Sequence, residues 1–215
     1  MPEYTPSACR RCGTCCRQGG PALHHEDKPL IECNVIEVMN IITLRRGETV
    51  RDDPTGTLIT LDEEVLRLSL PDGSGCPYLQ TTPLACTIHG SHPLECRVLS
   101  CTDPRALMDI YTTNRLQRVD LLGEESELIA AARYHDETFP AKHILDIARR
   151  IAKEIKHGMP KDCRQDIETL TDIASRERAF RMTLLEHTQI PSTHLPFLLG
   201  RSIPTLVTPL GLKLS

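Results

Sequence analysis

The sequence predicts an α+β fold, in which a small cysteine-rich domain precedes a mainly helical region. Three observations support this prediction. Most of the ten cysteines lie before residue 102, a segment between two groups of them alternates apolar and polar residues, and the second half repeats apolar residues at helical spacing. We predict a cysteine-cluster domain at residues 1–104, a helical region at 105–190 and an extended Pro/Leu-rich strap at 191–215.

Two elements are predicted between the cysteine groups. Residues 30–46 carry Val35, Val38, Met39 and Ile42 at the spacing of one helix face, and Gly47 would end that helix.

Residues 57–70 alternate well enough for one or two short strands. The Pro-Asp-Gly-Ser-Gly segment at 71–75 has the composition of a turn that leads directly to Cys76.

Helices are predicted from residue 104 to about 187. Gly158 and Pro160 would end the clearest of them, and a second would run over 162–187. The four prolines of the tail exclude a long helix there, while its leucines suggest that it packs on the body. The apolar stripes comprise Ile144, Ile147, Ala148, Ile151 and Ile155 on the first helix, and Ile167, Leu170, Ile173, Ala174, Phe180 and Leu184 on the second.

Composition limits the function classes. The net charge is −4, so the chain lacks the basic excess that nucleic-acid binding requires, and nucleic acid is an unlikely partner. Neither a signal peptide nor a membrane-spanning segment is visible, so we expect no membrane association and a cytosolic, reducing location. Clustered cysteines in such a compartment indicate metal ligands more often than disulfides.

The cysteine spacing is the strongest functional signal. Cys9, Cys12, Cys15 and Cys16 form a C-x2-C-x2-C-C run, and such two-residue spacers let thiolates turn back on one centre. A second group has longer spacings and is expected to supply the remaining ligands. The predicted metal ligands are therefore Cys9, Cys12, Cys15, Cys16, Cys76, Cys86, Cys96 and Cys101.

The identity of the metal stays open at this point. Thiolate sites suit zinc or an iron–sulfur cluster, including [4Fe–4S], and Cys76-Pro77 has the form of the remote cluster ligand of ferredoxins. Adjacent Cys15 and Cys16 are not expected to point easily at one ion, so one centre with spare cysteines and two centres are both open.

Several other residues receive simpler interpretations. Cys33 and Cys163 are expected to be small buried side chains on helices, and His24 to Asp27 to form a solvated loop. His89 and His92 are expected in a turn or on the surface, although imidazole can bind zinc. The basic residues Arg149, Arg150, Lys153 and Lys156 are expected on a solvated helix face.

Three separated motifs together resemble the YkgJ-type CxxCxxCC family, whose members are described as zinc- or iron-chelating. They are the C-x2-C-G-x-C-C run, Gly-Cys-Pro-Tyr-Leu at Gly75 to Leu79, and C-T-I-H-x2-H-P-x2-C-R-x3-C from Cys86 to Cys101. The resemblance covers roughly residues 9–105. His89 replaces a common Tyr and His92 a common Arg, which adds two potential ligands and leaves the role of that Arg unassigned.

Two functions from different classes follow. The first is a metal-binding protein that coordinates an iron–sulfur cluster or zinc through its clustered cysteines. The alternative is an iron–sulfur-dependent enzyme such as a SAM-dependent protein methyltransferase, because the cysteine motif also resembles that of flagellin lysine methylase. No glycine-rich fingerprint for that cofactor is visible, and no catalytic residue is assigned.

Overall fold

The structure is a computed structural model that describes residues 9, 11–52, 55–70, 75–158 and 163–214. The chain forms two compact units, each assembled from two segments. The first unit comprises Met1–Ile42 and Val65–Leu121, and the second comprises Thr43–Glu64 and Leu122–Ser215. The domain boundaries predicted after residues 104 and 190 refer to domains that fold independently. These boundaries stay a prediction.

Strands and helices are both present, so the mixed α+β class is confirmed. The strands are paired in order β1 with β4, β2 with β3 and β5 with β6, each pair forming a two-stranded sheet. Their bounds are β1 Ile41–Leu44, β2 Thr49–Arg51, β3 Leu58–Thr60, β4 Val65–Leu68, β5 Leu79–Thr81 and β6 Leu84–Cys86.

Short helices dominate the first unit, and the long helices lie in the second. In chain order the helices are α1 Thr14–Gln18, α2 Lys28–Glu32, α3 Leu94–Val98, α4 Arg105–Ile110, α5 Arg118–Leu122, α6 Glu127–Thr138, α7 Ala141–Lys156, α8 Arg164–His187, α9 Leu195–Leu199 and α10 Ile203–Val207. Among the described residues, 3-10 helices are also present at His25–Asp27, Val38–Asn40, Ser192–His194 and Thr208–Leu210.

The helix predicted over residues 30–46 is wrong. Helix α2 ends at Glu32, and Asn34 adopts the left-handed conformation with φ of 55°. The β-branched residues Ile41 and Ile42 then begin strand β1, whose four residues are all buried. A short apolar run satisfies either periodicity, and here burial of both faces favours the strand. Gly47 stands in the turn after β1 and does not end a helix.

The strands predicted within residues 57–70 are confirmed as β3 and β4. Strand β3 pairs antiparallel with β2, with Val50 opposite Ile59. Of the predicted turn at 71–75, residues 71–74 lie outside the described part of the chain.

Long amphipathic helices form the core of the second unit, as predicted. Most of the α7 stripe is buried, but Ile155 is 52% exposed near the end of the helix. On α8, Leu170 and Ala174 are buried in the same core, whereas Ile167 is 40% exposed. Pro160, the predicted helix stop, lies outside the described residues.

The tail is not an extended strap. Pro196 and Pro204 occupy the first turns of α9 and α10, where the missing N–H costs no helical hydrogen bond. Proline therefore does not prevent these short helices. The expected packing on the body is present, because both helices bury apolar side chains: Phe197, Leu198, Leu199, Ile203, Leu206 and Val207.

None of the helices in the described part of the chain has both the length and the apolar content that a membrane crossing requires.

We predict unequal effects for two identical substitutions in α7. Ile147 is 1% exposed, so Ile147→Ala should lower the free energy of unfolding by about 2–5 kcal/mol through lost burial and a residual cavity. Ile155→Ala is the matched control and should cost about 0.5 kcal/mol or less. Urea unfolding followed by circular dichroism measures both, and equal effects would contradict the position of α7 in the core.

Candidate metal centre

The N-terminal cysteine run ends in helix α1. Gly13 precedes the helix with φ of 70°, a left-handed conformation that glycine adopts without strain. A Cβ at Gly13 would lie only 3.2 Å from Leu84 Cδ1 and 3.3 Å from Leu79 Cδ1. Glycine thus lets the run pack against the β5–β6 hairpin. The helix then carries Cys15 and Cys16.

A backbone hydrogen bond joins the two cysteine-bearing segments. The N–H of Cys76 donates to the carbonyl of Cys16 across 2.8 Å. A Cβ at Gly75 would lie 3.0 Å from the same carbonyl oxygen, so the motif's glycine permits this close approach. Residues distant in sequence therefore meet at the two cysteines themselves.

The Gly-Cys-Pro-Tyr-Leu segment is anchored by its tyrosine. Tyr78 Oη accepts hydrogen bonds from the Glu37 N–H at 2.9 Å and from Asn40 Nδ2 at 3.1 Å. The segment continues into the β5–β6 hairpin, in which Leu79 is directly opposite Cys86. This pairing holds Cys86 beside the start of the hairpin that follows Cys76.

Four partly or fully buried thiols have raised pKa values. Burial and the neighbouring Cys15 thiol raise the pKa of Cys16 to about 12. Burial is the main cause of the raised pKa values of Cys76 and Cys86, and each is raised further by Cys15. The pKa of Cys96, on α3, lies well above its ordinary value because of burial first and then Cys76, Cys16 and Cys15. These thiols are consequently neutral near pH 7.

Cys15 and Cys16 lie side by side, with their Sγ atoms 3.9 Å apart. Two thiolates on one tetrahedral ion with metal–sulfur bonds of about 2.3 Å would be separated by about 3.8 Å. The expectation that adjacent cysteines do not readily point at one ion is therefore not supported by their geometry.

The remaining predicted ligands lie around this group. Cys9 is exposed but raises the pKa of Cys86, so it lies near the group's edge. Cys12 is exposed, and its pKa is lowered chiefly by hydrogen bonding to Thr14, whose Oγ1 is 3.3 Å from Cys12 Sγ. Cys101 is also exposed.

Of the two cysteines not predicted as ligands, only Cys163 is buried. Cys33 lies just after α2 and is exposed, so its predicted burial is wrong. Helix α2 ends one residue earlier, which places the Cys33 side chain at the surface.

The thiols are donors of the type that soft metal ions prefer, but they do not form a complete coordination sphere. Among the described residues, no three His, Cys, Asp or Glu side chains converge closely enough to hold a metal ion. Thiolate sulfur is the donor that zinc and iron centres share. Rotation about the cysteine side chains would therefore be needed to close a coordination sphere.

The predicted solvated loop at residues 24–27 is wrong for two of its members. His24 and Asp27 are fully buried, whereas His25 and Glu26 are exposed. Burial raises the pKa of Asp27, although the N–H groups of His24 and Leu94 bind its carboxylate. Burial also opposes charging of His24, but Glu95 and Asp27 outweigh it and raise the pKa of the imidazole.

The prediction of a turn or surface position is confirmed for His89, which is exposed in a turn, whereas His92 follows the turn and is partly buried. The two rings stack with centroids 5.0 Å apart, and the Gly90 N–H donates to His92 Nδ1. The predicted solvated face of α7 is confirmed. On α7, Arg149 pairs with Asp146 at 3.0 Å and Arg150 pairs with Asp166 at 2.7 Å. Such exposed pairs are typical of a solvated helix face.

Comparison with protein families identifies the N-terminal region. A family model described as "CxxCxxCC: Putative zinc- or iron-chelating domain" matches residues 8–115, just over half of the chain. The chain belongs to the CxxCxxCC family. No curated protein and no solved structure matches it. The family assignment supports metal binding, with zinc or iron as the metal, and confirms the resemblance inferred from the three motifs.

We predict that the metal-free, reduced protein is alkylated in a defined order. Cys12 should react first, because it is exposed and its pKa is lowered. Cys76 and Cys96 should each react at no more than about one tenth of the rate of Cys12, because burial raises the pKa of both thiols. Mass spectrometry after timed iodoacetamide treatment measures the order, with Cys163 as a buried cysteine for comparison. Equal rates at Cys12 and Cys96 would contradict the described arrangement.

Proposed function

We propose that this chain binds one zinc or iron ion through four thiolates, those of Cys15, Cys16, Cys76 and Cys96. The observation that carries the proposal is the meeting of the two segments: the Cys15 and Cys16 Sγ atoms lie 3.9 Å apart, and the Cys76 N–H binds the Cys16 carbonyl at 2.8 Å. After burial, Cys76, Cys16 and Cys15 are the groups that raise the pKa of Cys96. The proposal narrows the eight predicted ligands to a primary set. Cys9 and Cys86 would lie beside that set, and Cys12 and Cys101 outside it.

The donor arrangement favours a single ion. The Cys15–Cys16 separation of 3.9 Å resembles one edge of a tetrahedral thiolate site. In a [4Fe–4S] cluster each iron takes one thiolate, so two adjacent cysteines would not both serve as ligands so close together. An iron–sulfur cluster, which the cysteine run also allows, is therefore the alternative that the experiment must separate.

Metal binding would also join two parts of the chain. Cys15 and Cys16 belong to the N-terminal run, while Cys76 and Cys96 follow some sixty or more residues later. A structural thiolate site contributes an apparent ~10–16 kcal/mol near neutral pH, which is comparable with the whole stability of a domain. The bound ion would thus stabilise the folded first unit.

Metal analysis of protein purified without oxygen tests the proposal. We expect one zinc or iron ion per chain and no acid-labile sulfide. Single Cys→Ser changes at the four proposed ligands should each reduce the bound metal strongly, because a hydroxyl is a much poorer ligand for these ions.

Cys33→Ser is the matched control, since Cys33 is an exposed cysteine of the same unit and should leave the metal content unchanged. Two or more irons with sulfide would replace the single-ion proposal with a cluster. Full metal content in all four ligand variants would refute the proposed set.

We further predict that metal affinity rises with pH. Three of the proposed ligand thiols, those of Cys16, Cys76 and Cys96, are protonated in the metal-free protein near neutral pH, because burial raises the pKa of each. The ion must displace roughly one proton per thiolate, so affinity should fall by up to about tenfold per displaced proton for each pH unit lost. Chelator competition between pH 6.5 and 8.0 measures the slope, and an affinity independent of pH would contradict thiolate ligation.

A further inference from the structure

The side chains of Asp27 and Glu95 connect helix α3 to the segment that follows the N-terminal cysteine run. Asp27 Oδ1 accepts a hydrogen bond of 2.7 Å from the N–H of Leu94, the first residue of α3. In the opposite direction, Glu95 Oε2 accepts one of 2.8 Å from the N–H of Ala22. Each segment thus supplies a carboxylate to the backbone of the other. We call these two residues the carboxylate clamp.

The clamp replaces a local helix cap. The residue before α3 is Pro93, which has no side-chain oxygen to bind the free N–H groups of the first turn. Asp27, which is distant in sequence, takes that role, and Arg97 lies 3.8 Å from the same Oδ1. The position of this short helix consequently depends on a carboxylate outside it.

Both members of the clamp are held rigidly. Asp27 is fully buried, and its second oxygen accepts the His24 N–H at 3.0 Å. His24 Nδ1 lies 2.9 Å from the Thr113 carbonyl, so Nδ1 carries a proton, and Nε2 faces Glu95 Oε1 at 3.4 Å. Buried carboxylates whose hydrogen bonds are satisfied hold their surroundings rigid. Groups of this kind can orient the side chain of a neighbouring metal ligand.

Cys96 directly follows Glu95 on α3, and Ala22, which Glu95 binds, follows the end of α1 by four residues. The carboxylate clamp therefore joins the helix that carries Cys96 to the segment that carries Cys15 and Cys16. We infer that Asp27 and Glu95 are positioning residues, which hold Cys96 of α3 against the thiols of α1 and thereby set the affinity of the metal centre. This inference rests on the proposed function. It adds that the affinity depends on two carboxylates that do not themselves bind the ion.

The test compares Asp27→Asn and Glu95→Gln with the unmodified chain, using Zn²⁺ and Co²⁺ as probes. Affinity is measured by chelator competition, and the visible absorption of the Co²⁺ form reports ligand geometry. We expect both variants to bind one ion with about 10–100-fold weaker affinity and a shifted Co²⁺ spectrum, as is typical when a partner of a metal ligand is lost. Two variants are used so that, if one fails to fold, the other still tests the inference.

Glu48→Gln is the matched control. Glu48 is a fully buried carboxylate of the second unit that also accepts a backbone N–H, from Arg45 at 3.1 Å. It should lower stability while leaving Zn²⁺ affinity and the Co²⁺ spectrum unchanged. Clamp variants with unchanged affinity and spectrum would overturn the inference, as would equal weakening in all three variants. Failure of the unmodified chain to bind either ion would instead refute the proposed function itself.

Discussion

The arrangement of the first unit depends on one contact, the hydrogen bond from the Cys76 N–H to the Cys16 carbonyl. It joins two segments that are about sixty residues apart in sequence, at the residues that carry the thiols. Gly75 permits the close approach, and Gly13 lets the N-terminal run lie on the β5–β6 hairpin. Because these backbones meet, cysteines from both segments are neighbours.

The second constraint is the segment that follows the cysteine run. Its backbone pairs with β4, through the N–H of Gly20 to Leu68 and of Leu23 to Leu66. Its side chains reach α3 through the carboxylate clamp. The same short stretch therefore fixes the strand that precedes Cys76 and the helix that carries Cys96. Fully paired buried polar groups of this kind specify one arrangement, because a displaced partner would leave a charge without compensation.

Local patterns predicted the parts of the fold that are governed locally. The α7 stripe and the strands within residues 57–70 follow their apolar periodicity. The prediction of a helix over residues 30–46 was wrong, because periodicity alone does not distinguish a helix from a buried strand in the short apolar run at Ile41–Leu44. The tail was expected to be extended because of its prolines, yet proline is accommodated in the first turn of a helix.

The candidate site was predictable in composition but not in its supporting contacts. Cysteine spacing and the motif at Gly75 to Leu79 identified the segments that meet. Nothing in the sequence around Asp27 shows that its carboxylate binds the backbone of α3, because that contact joins residues separated by 67 positions. The sequence offers only a run of polar residues from His24 to Asp27, which usually forms a solvated loop. The side-by-side thiols of Cys15 and Cys16 likewise lie on helix α1, which the cysteine spacing did not predict.

X-ray absorption spectroscopy at the edge of the bound metal tests the central claim most directly, because it counts the sulfur ligands of the ion. We expect four sulfur neighbours at about 2.3 Å from the ion and no second metal nearby. A first shell of nitrogen or oxygen atoms, or a short metal–metal distance, would contradict a single ion held by thiolates from both segments.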